Sequence, residues 1–224
     1  MSMGVIEDGN SRGYDAAKRA LDLLIAVPGI VVMSPFLLVT VLAIKLESRG
    51  PVIFRQERVG RHGRSFQILK FRTMVDGAHL LGPGYLLSRN DPRITRVGAF
   101  LRRWSLDELP QLFNILRGEM SVVGPRPTLR YQVDQYTGFQ RRRLEALPGV
   151  TGWAQIRGRN GLTWPERIEL DVWYVDHRSF ALDCRILLKT LAVITRPDEV
   201  YNENRADWGE REDDRSESIL DRSL

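Results

Sequence analysis

The 224-residue chain sets 33 Lys and Arg against 28 Asp and Glu, a formal net charge of +5 with a sequence pI near 9.6. That balance suits one modest domain whose basic surface faces anionic lipid or phosphorylated ligands, and the single cysteine, Cys184, excludes an intrachain disulfide and a cysteine-cluster metal site. Basicity alone would also admit nucleic acid, but no zinc-finger spacing, RNP-like aromatic motif or helix-turn-helix pattern accompanies it, so no nucleic-acid partner is expected. His62, His79 and His177 show no metal-ligand spacing.

Residues 1–14 read as a flexible N-terminus. Leu23 to Ile44 is uncharged and largely apolar; at 1.5 Å per residue its ~22 residues are about long enough to cross a bilayer core. Pro28, Gly29 and the Ser34-Pro35 pair lie inside it, and each proline removes a backbone hydrogen bond, so a bend is expected near the middle. Ser34 could serve a carbonyl that Pro35 leaves without a donor, which lipid demands. Arg12, Lys18 and Arg19 precede the run and Lys45, Arg49, Arg55 and Arg58 follow it, so both flanks read as cytoplasmic. A straight span would place one flank outside; a re-entrant hairpin over 15–48, broken at Ser34-Pro35, returns both to one face. The run exceeds a signal-peptide core and no small-residue cleavage site follows, which argues for a permanent anchor.

Beyond the anchor, Pro51–Phe54 and Ser65–Leu69 predict two short strands joined through a Gly60–Gly63 turn, most simply a hairpin. Lys70-Phe71-Arg72-Thr73-Met74 then offers two cations that share a side if the chain stays extended. Gly82–Asp91 is loop-like, and Asn90-Asp91-Pro92-Arg93 reads as a turn into a helix over Val97–Arg103. Next comes an acidic pair beside cations, Arg102-Arg103-Trp104-Ser105-Leu106-Asp107-Glu108-Leu109-Pro110-Gln111. Ser105 and Glu108 have capping-box spacing before Leu109, Leu112, Phe113 and Leu116; Pro110 allows the N-cap to fall a residue or two later. Carboxylates at a helix N-terminus stay ionised, and an ionised Asp can attack phosphorus. Neighbouring helical residues point about 100° apart, so one acid could attack while the other holds a metal. The plain alternative is a pair of ordinary N-terminal helix charges.

Gly118 is expected to end this helix, and Gly124-Pro125-Arg126-Pro127 to form a rigid exposed turn presenting Arg126 to a phosphate. Pro148 to Asn160 is dense in turn formers, amides and cations, which reads as a site-lining loop. Helices follow over Pro165–His177 and Asp183–Thr195. Trp164, Trp173 and Tyr174 fit either a lipid interface or ordinary core packing. From Glu203 the chain is highly charged, and 201–224 reads as a disordered tail.

Five motifs in one order, Ser34-Pro35, Lys70 to Met74, Asp107 to Gln111, Gly124 to Pro127 and Pro148 to Gly152, resemble the bacterial sugar transferases. More narrowly, they resemble the monotopic phosphoglycosyl transferases that start glycan assembly on polyprenol phosphate, over about Lys18 to Asp198. Larger relatives carry extra N-terminal spans and a further domain, so the expectation is a minimal catalytic form. The resemblance implies transfer of a phosphosugar from a UDP-sugar to undecaprenyl phosphate, giving undecaprenyl diphosphate sugar and UMP, with Mg²⁺ required. By motif match Asp107 would be the nucleophile that takes the phosphosugar covalently and Glu108 would hold Mg²⁺. Arg102 and Arg126 would fix phosphate oxygens, with Lys70, Arg72 and Gln111 among the substrate-binding residues. The implied fold is α+β: a re-entrant helix-break-helix hairpin, and over 49–200 a small, mainly helical cytoplasmic catalytic domain with a β-hairpin and interfacial amphipathic helices. The implied place is the cytoplasmic face of the bacterial inner membrane, and the implied partners are the UDP-sugar, undecaprenyl phosphate and membrane lipid, with a homodimer left open. Two other readings remain at this point: a non-catalytic scaffold of a glycan-assembly complex and a membrane-bound metal-dependent phosphohydrolase.

Overall fold

A computed structural model describes residues 9–78, 91–158 and 161–194. The expectations for Gly82–Asn90, His79, Arg159, Asn160 and the charged tail lie outside the described residues.

Helix α1 runs over Gly9–Glu47, 39 residues, beginning within the segment read as a flexible terminus. It stays helical through Pro28 and Pro35, where a sharper break was expected. Pro35 has no N–H for the Val31 carbonyl one turn earlier, and the Ser34 hydroxyl donates to that oxygen instead at 2.8 Å. Gly13–Glu47 is apolar enough to cross a membrane, with mean hydropathy 2.4 in its most apolar window, and Val31, Val32, Leu38, Val39 and Leu42 stand exposed.

Both halves of α1 nevertheless pack on the remainder of the chain. Lys18 pairs with Asp183 at 2.7 Å, the Arg19 guanidinium donates to the Ile115 and Leu116 carbonyls at 2.6 and 2.8 Å, and the Asp22 carboxylate accepts from Ser121 Oγ and the Val122 amide. At the other end Ile44 packs with Phe71 and Leu101, and the Glu47 carboxylate accepts from the Arg96 and Val97 amides. Lys18 and Arg19, read as flanking charges, thus face protein partners: a buried carboxylate and the carbonyls at the C-terminal end of α3 attract them more strongly than a screened surface does.

The hairpin forms, but its first strand lies further along the chain than the expected Pro51–Phe54: β1 (Ile53–Val59) pairs antiparallel with β2 (Ser65–Phe71), Ile53 opposite Phe71 and Val59 opposite Ser65. Helix α2 (Arg96–Arg103) is capped by Thr95, whose hydroxyl accepts from the Gly98 amide at 2.9 Å. The expected capping box at Ser105 is absent. Ser105 is left-handed, with φ 55°, and makes no capping bond; Leu106–Glu108 form a 3₁₀ turn and α3 (Gln111–Leu116) starts after Pro110. The reversal between α2 and α3 needs a left-handed residue, and this conformation removes Ser105 from the N-cap geometry. Gly118 follows α3 with φ 76°.

Over its described residues, 148–158, the segment read as a site-lining loop is instead built into the core. Strand β3 (Ser121–Val123) pairs in parallel with β4 (Gly149–Thr151), and α6 (Trp153–Gly158) follows; α4 (Arg130–Asp134) and α5 (Gly138–Arg141) lie between the strands. Glycine composition suggested a loop, but the segment's glycines permit close backbone contact: a Cβ on Gly149 would stand 2.1 Å from the Gly124 nitrogen, and one on Gly152 2.1 Å from the Gly124 oxygen. Helices α7 (Trp164–His177) and α8 (Phe180–Ile194) complete the body. Trp153 and Trp173 stack at 4.8 Å and Tyr174 is buried, so for these rings core packing prevails over the lipid interface.

Candidate active site

Three elements converge on the acidic pair. Helix α2 lies directly on Thr73: a Cβ on Gly98 would stand 2.0 Å from the Thr73 carbonyl oxygen, and Arg102 Nε donates to Thr73 Oγ1 at 2.7 Å. The left-handed turn at Ser105 then brings Asp107 and Glu108 back towards β2. Asn114 fastens α3 to the same strand, its Oδ1 accepting from the Leu69 amide and its Nδ2 donating to the Gln67 carbonyl.

Glu108 is the centre of charge pairing. Its Oε1 accepts from Lys70 Nζ at 2.6 Å and from Arg126 Nη2 at 2.7 Å; the Glu108 side chain is 14% exposed and that of Arg126 39%. Burial opposes ionisation of Glu108, yet the Arg126 and Lys70 charges outweigh it and hold the carboxyl well below its ordinary range. The Glu108 charge in turn raises the Arg126 guanidinium. Asp107 differs: among the described residues it makes no hydrogen bond, and burial, with the neighbouring Glu108 charge, pushes its carboxyl up against the pull of Lys70, Arg102 and Arg126. The charges of Lys70, Arg102 and Arg126 thus all act on this carboxylate pair, and Asp107 is the member whose carboxylate no hydrogen bond commits among the described residues.

Lys70, Arg102 and Arg126 are thus brought together with Asp107 and Glu108. Arg126 comes from a turn that is buried rather than exposed, only its side chain reaching out. Arg72 is committed elsewhere: it donates to the Arg49 and Ser48 carbonyls at 2.6 and 2.8 Å and to Ser48 Oγ at 2.9 Å, clamping the end of α1. Strand β2 ends at Phe71, so the alternation that put Lys70 and Arg72 on one side no longer applies. Gln111 is buried at the start of α3, its Nε2 without a hydrogen-bond partner among the described residues. Thr73, Asn114 and Glu47 were missed as supports of the site; a buried Asn between Phe113 and Ile115 is the one local signal that pointed to such a role.

The bacterial sugar transferase family matches residues 13–197. The chain is 43% identical over 187 residues to the uncharacterized sugar transferase EpsL of Bacillus subtilis, covering 84% of this chain and 91% of that relative. It is 43% identical over 198 residues to the UDP-glucose:undecaprenyl-phosphate glucose-1-phosphate transferase of Caulobacter vibrioides, covering 84% and 73%. It is 42% identical over 187 residues to the UDP-N-acetylgalactosamine-undecaprenyl-phosphate N-acetylgalactosaminephosphotransferase of Aeromonas hydrophila, covering 81% of this chain and 44% of that protein, so it spans less than half of some relatives and most of others. With Lys70 and Arg126, from two of the motifs, meeting the acidic pair of a third, and the match running from α1 to beyond α8, the chain belongs to the bacterial sugar transferase family.

Proposed function

We propose that the protein is an initiating phosphoglycosyl transferase of bacterial surface glycan synthesis, moving a phosphosugar from a UDP-sugar to undecaprenyl phosphate. The observation that carries this reading is the pairing of an unbonded Asp107 with a Glu108 locked between Lys70 and Arg126. An Asp107 oxygen attacks the sugar-bearing phosphorus, the bond from that phosphorus to the bridging oxygen breaks, and UMP leaves with that oxygen. A phosphate oxygen of the lipid then attacks the same phosphorus, forming the new diphosphate and returning Asp107 as a carboxylate. Arg126, Lys70 and Arg102 hold phosphate oxygens and offset their charge, so one small site serves a water-soluble donor and a lipid acceptor in turn. The relatives named as undecaprenyl-phosphate sugar transferases support the substrate classes.

The donor set fits Mg²⁺. Glu108 Oε1 carries both cations, leaving Oε2 as a hard oxygen donor, and Mg²⁺ commonly takes one or two carboxylates with substrate phosphates and water. When bound there, it would supply charge neutralisation of the diphosphate and a better leaving group.

The packing of both halves of α1 on one body supports a re-entrant anchor, with the catalytic body on the cytoplasmic face of the inner membrane. A cysteine at position 2 is then reactive only from the cytoplasm, and replacing Ser34 and Pro35 with Ala straightens α1 and alters that accessibility; an N-terminus labelled from outside in the wild type refutes re-entrance.

The deciding experiment measures UMP release from a panel of UDP-sugars by detergent-solubilised protein with Mg²⁺, with and without undecaprenyl phosphate, alongside intact mass. Stoichiometric release with a phosphosugar adduct on Asp107, becoming catalytic with lipid, is the expected result. No release from any donor overturns the proposal.

A further inference from the structure

Arg143 is among the largest fully buried side chains of the protein, 2% exposed, and lies outside the carboxylate cluster. Its guanidinium donates to Tyr136 Oη at 2.5 Å, to an Asp171 carboxylate oxygen, and at 3.0 Å to the backbone carbonyl of Arg126; the rings of Tyr136 and Trp164 flank it at 5.7 Å. Stability is a poor reason for such a group. Desolvating two charges costs several kcal/mol per ion, and well-packed apolar replacements of buried pairs are often neutral or stabilising. The bond to Arg126 is the part of this arrangement that an apolar replacement would not reproduce.

The Gly124–Pro127 turn explains why that bond matters. Pro125 and Pro127 have no N–H, so beyond the Gly124 amide, which donates to the Thr151 carbonyl at 2.8 Å, the turn is held largely through its carbonyls. Pro125 accepts from the Gly149 amide at 2.9 Å, Arg126 from Arg143, Pro127 from Arg58 Nη1 at 3.3 Å and Thr128 from the Val59 amide at 2.9 Å. The proline rings fix φ at Pro125 and Pro127, which leaves φ and ψ of Arg126 itself as the freedom that aims its side chain, and the bond from Arg143 to the Arg126 carbonyl restrains that ψ. We propose that Arg143, held by Asp171 and Tyr136, is a positioning residue that fixes the Arg126–Pro127 peptide and so presents the Arg126 guanidinium to Glu108 and the substrate phosphate. A reorientation of the Arg126 backbone that tilts its side chain by about 10° swings a guanidinium ~6 Å from its Cα by about 1 Å, a misplacement worth roughly a hundredfold in rate. This rests on the phosphoglycosyl transfer proposed above.

The test is a double-mutant cycle of Arg143→Lys with Arg126→Ala in the full-length, detergent-solubilised protein, reading kcat and KM for UMP release together with the thermal midpoint. Lysine keeps the charge but cannot reach three acceptors in the guanidinium's planar geometry. The expected result is a fall in kcat of about 10- to 100-fold from Arg143→Lys when Arg126 is present and less than about twofold when it is alanine, because the coupling runs through that side chain. Equal fold-losses in both backgrounds overturn the positioning role and leave Arg143 structural. Should Arg143→Lys not fold, Tyr136→Phe, which removes the 2.5 Å bond and keeps the ion pair, goes through the same cycle with the same two outcomes. Absence of UMP release from the wild type overturns the proposed function and this inference with it; wild-type release with uncoupled losses overturns the inference alone.

Discussion

The anchor and the active site each contain a charge cluster, and the two are built to opposite specifications. Where α1 docks, Asp183 is 0% exposed and both its oxygens are engaged: Oδ1 accepts from Tyr174 Oη at 2.7 Å, Oδ2 from Lys18 Nζ at 2.7 Å and Tyr14 Oη at 3.0 Å. One cation meets one carboxylate and hydroxyls complete the shell. At the active site three cations, Lys70, Arg102 and Arg126, face two carboxylates, and Asp107 has no hydrogen bond among the described residues. A saturated, balanced cluster fastens two elements together. An unsaturated one with surplus positive charge leaves a carboxylate uncommitted and favours anions, as the proposed transfer requires.

The sharpest way to break this contrast is Asp107→Asn, nearly isosteric but without the anionic oxygen: turnover falls by about three orders of magnitude or more while folding and membrane attachment persist, read by UMP release, intact mass and thermal midpoint. Lys18→Met does the reverse. It strips one partner from a buried pair, so about 3–5 kcal/mol of stability is lost, visible as a lowered thermal midpoint in detergent. Equal effects of the two variants on stability would erase the distinction. Arg126→Ala removes a donor aimed at developing phosphate charge and lowers kcat/KM by roughly 10²- to 10³-fold.

The pH dependence sharpens the comparison further. Asp107 lies above the ordinary carboxylate range through burial and Glu108, with Lys70 among the charges opposing that rise. Activity that needs ionised Asp107 therefore falls on acidification, and Lys70→Met moves that acid limb to higher pH; an unmoved limb would exclude Asp107 as its source. Stability follows the opposite carboxylate: Glu108 is depressed, so its ion pairs contribute fully above the unfolded carboxyl range and are lost as pH falls towards the depressed value. The smallest expected effect is at the membrane segment, where Ser34→Ala leaves the Val31 carbonyl without its hydroxyl donor and costs roughly 1 kcal/mol.

The sequence by itself determined what local pattern can encode: the apolar run of α1, the β1–β2 hairpin, the glycine end of α3, helices α7 and α8, and the carboxylate pair beside cations. Hydrophobic period and turn chemistry act over a few residues and need no knowledge of the partner. Tertiary structure decided which charges meet. Lys18 finds Asp183 across 165 positions, Lys70 finds Glu108 across 38, and Arg72, two residues from Lys70, turns instead to the end of α1. It also converted Ser105 from a cap into a left-handed hinge, and a glycine-rich segment from an expected loop into a buried strand. Ion pairing and close backbone contact depend on distances in space, so residue type named the candidates and only the packed chain could assign their partners.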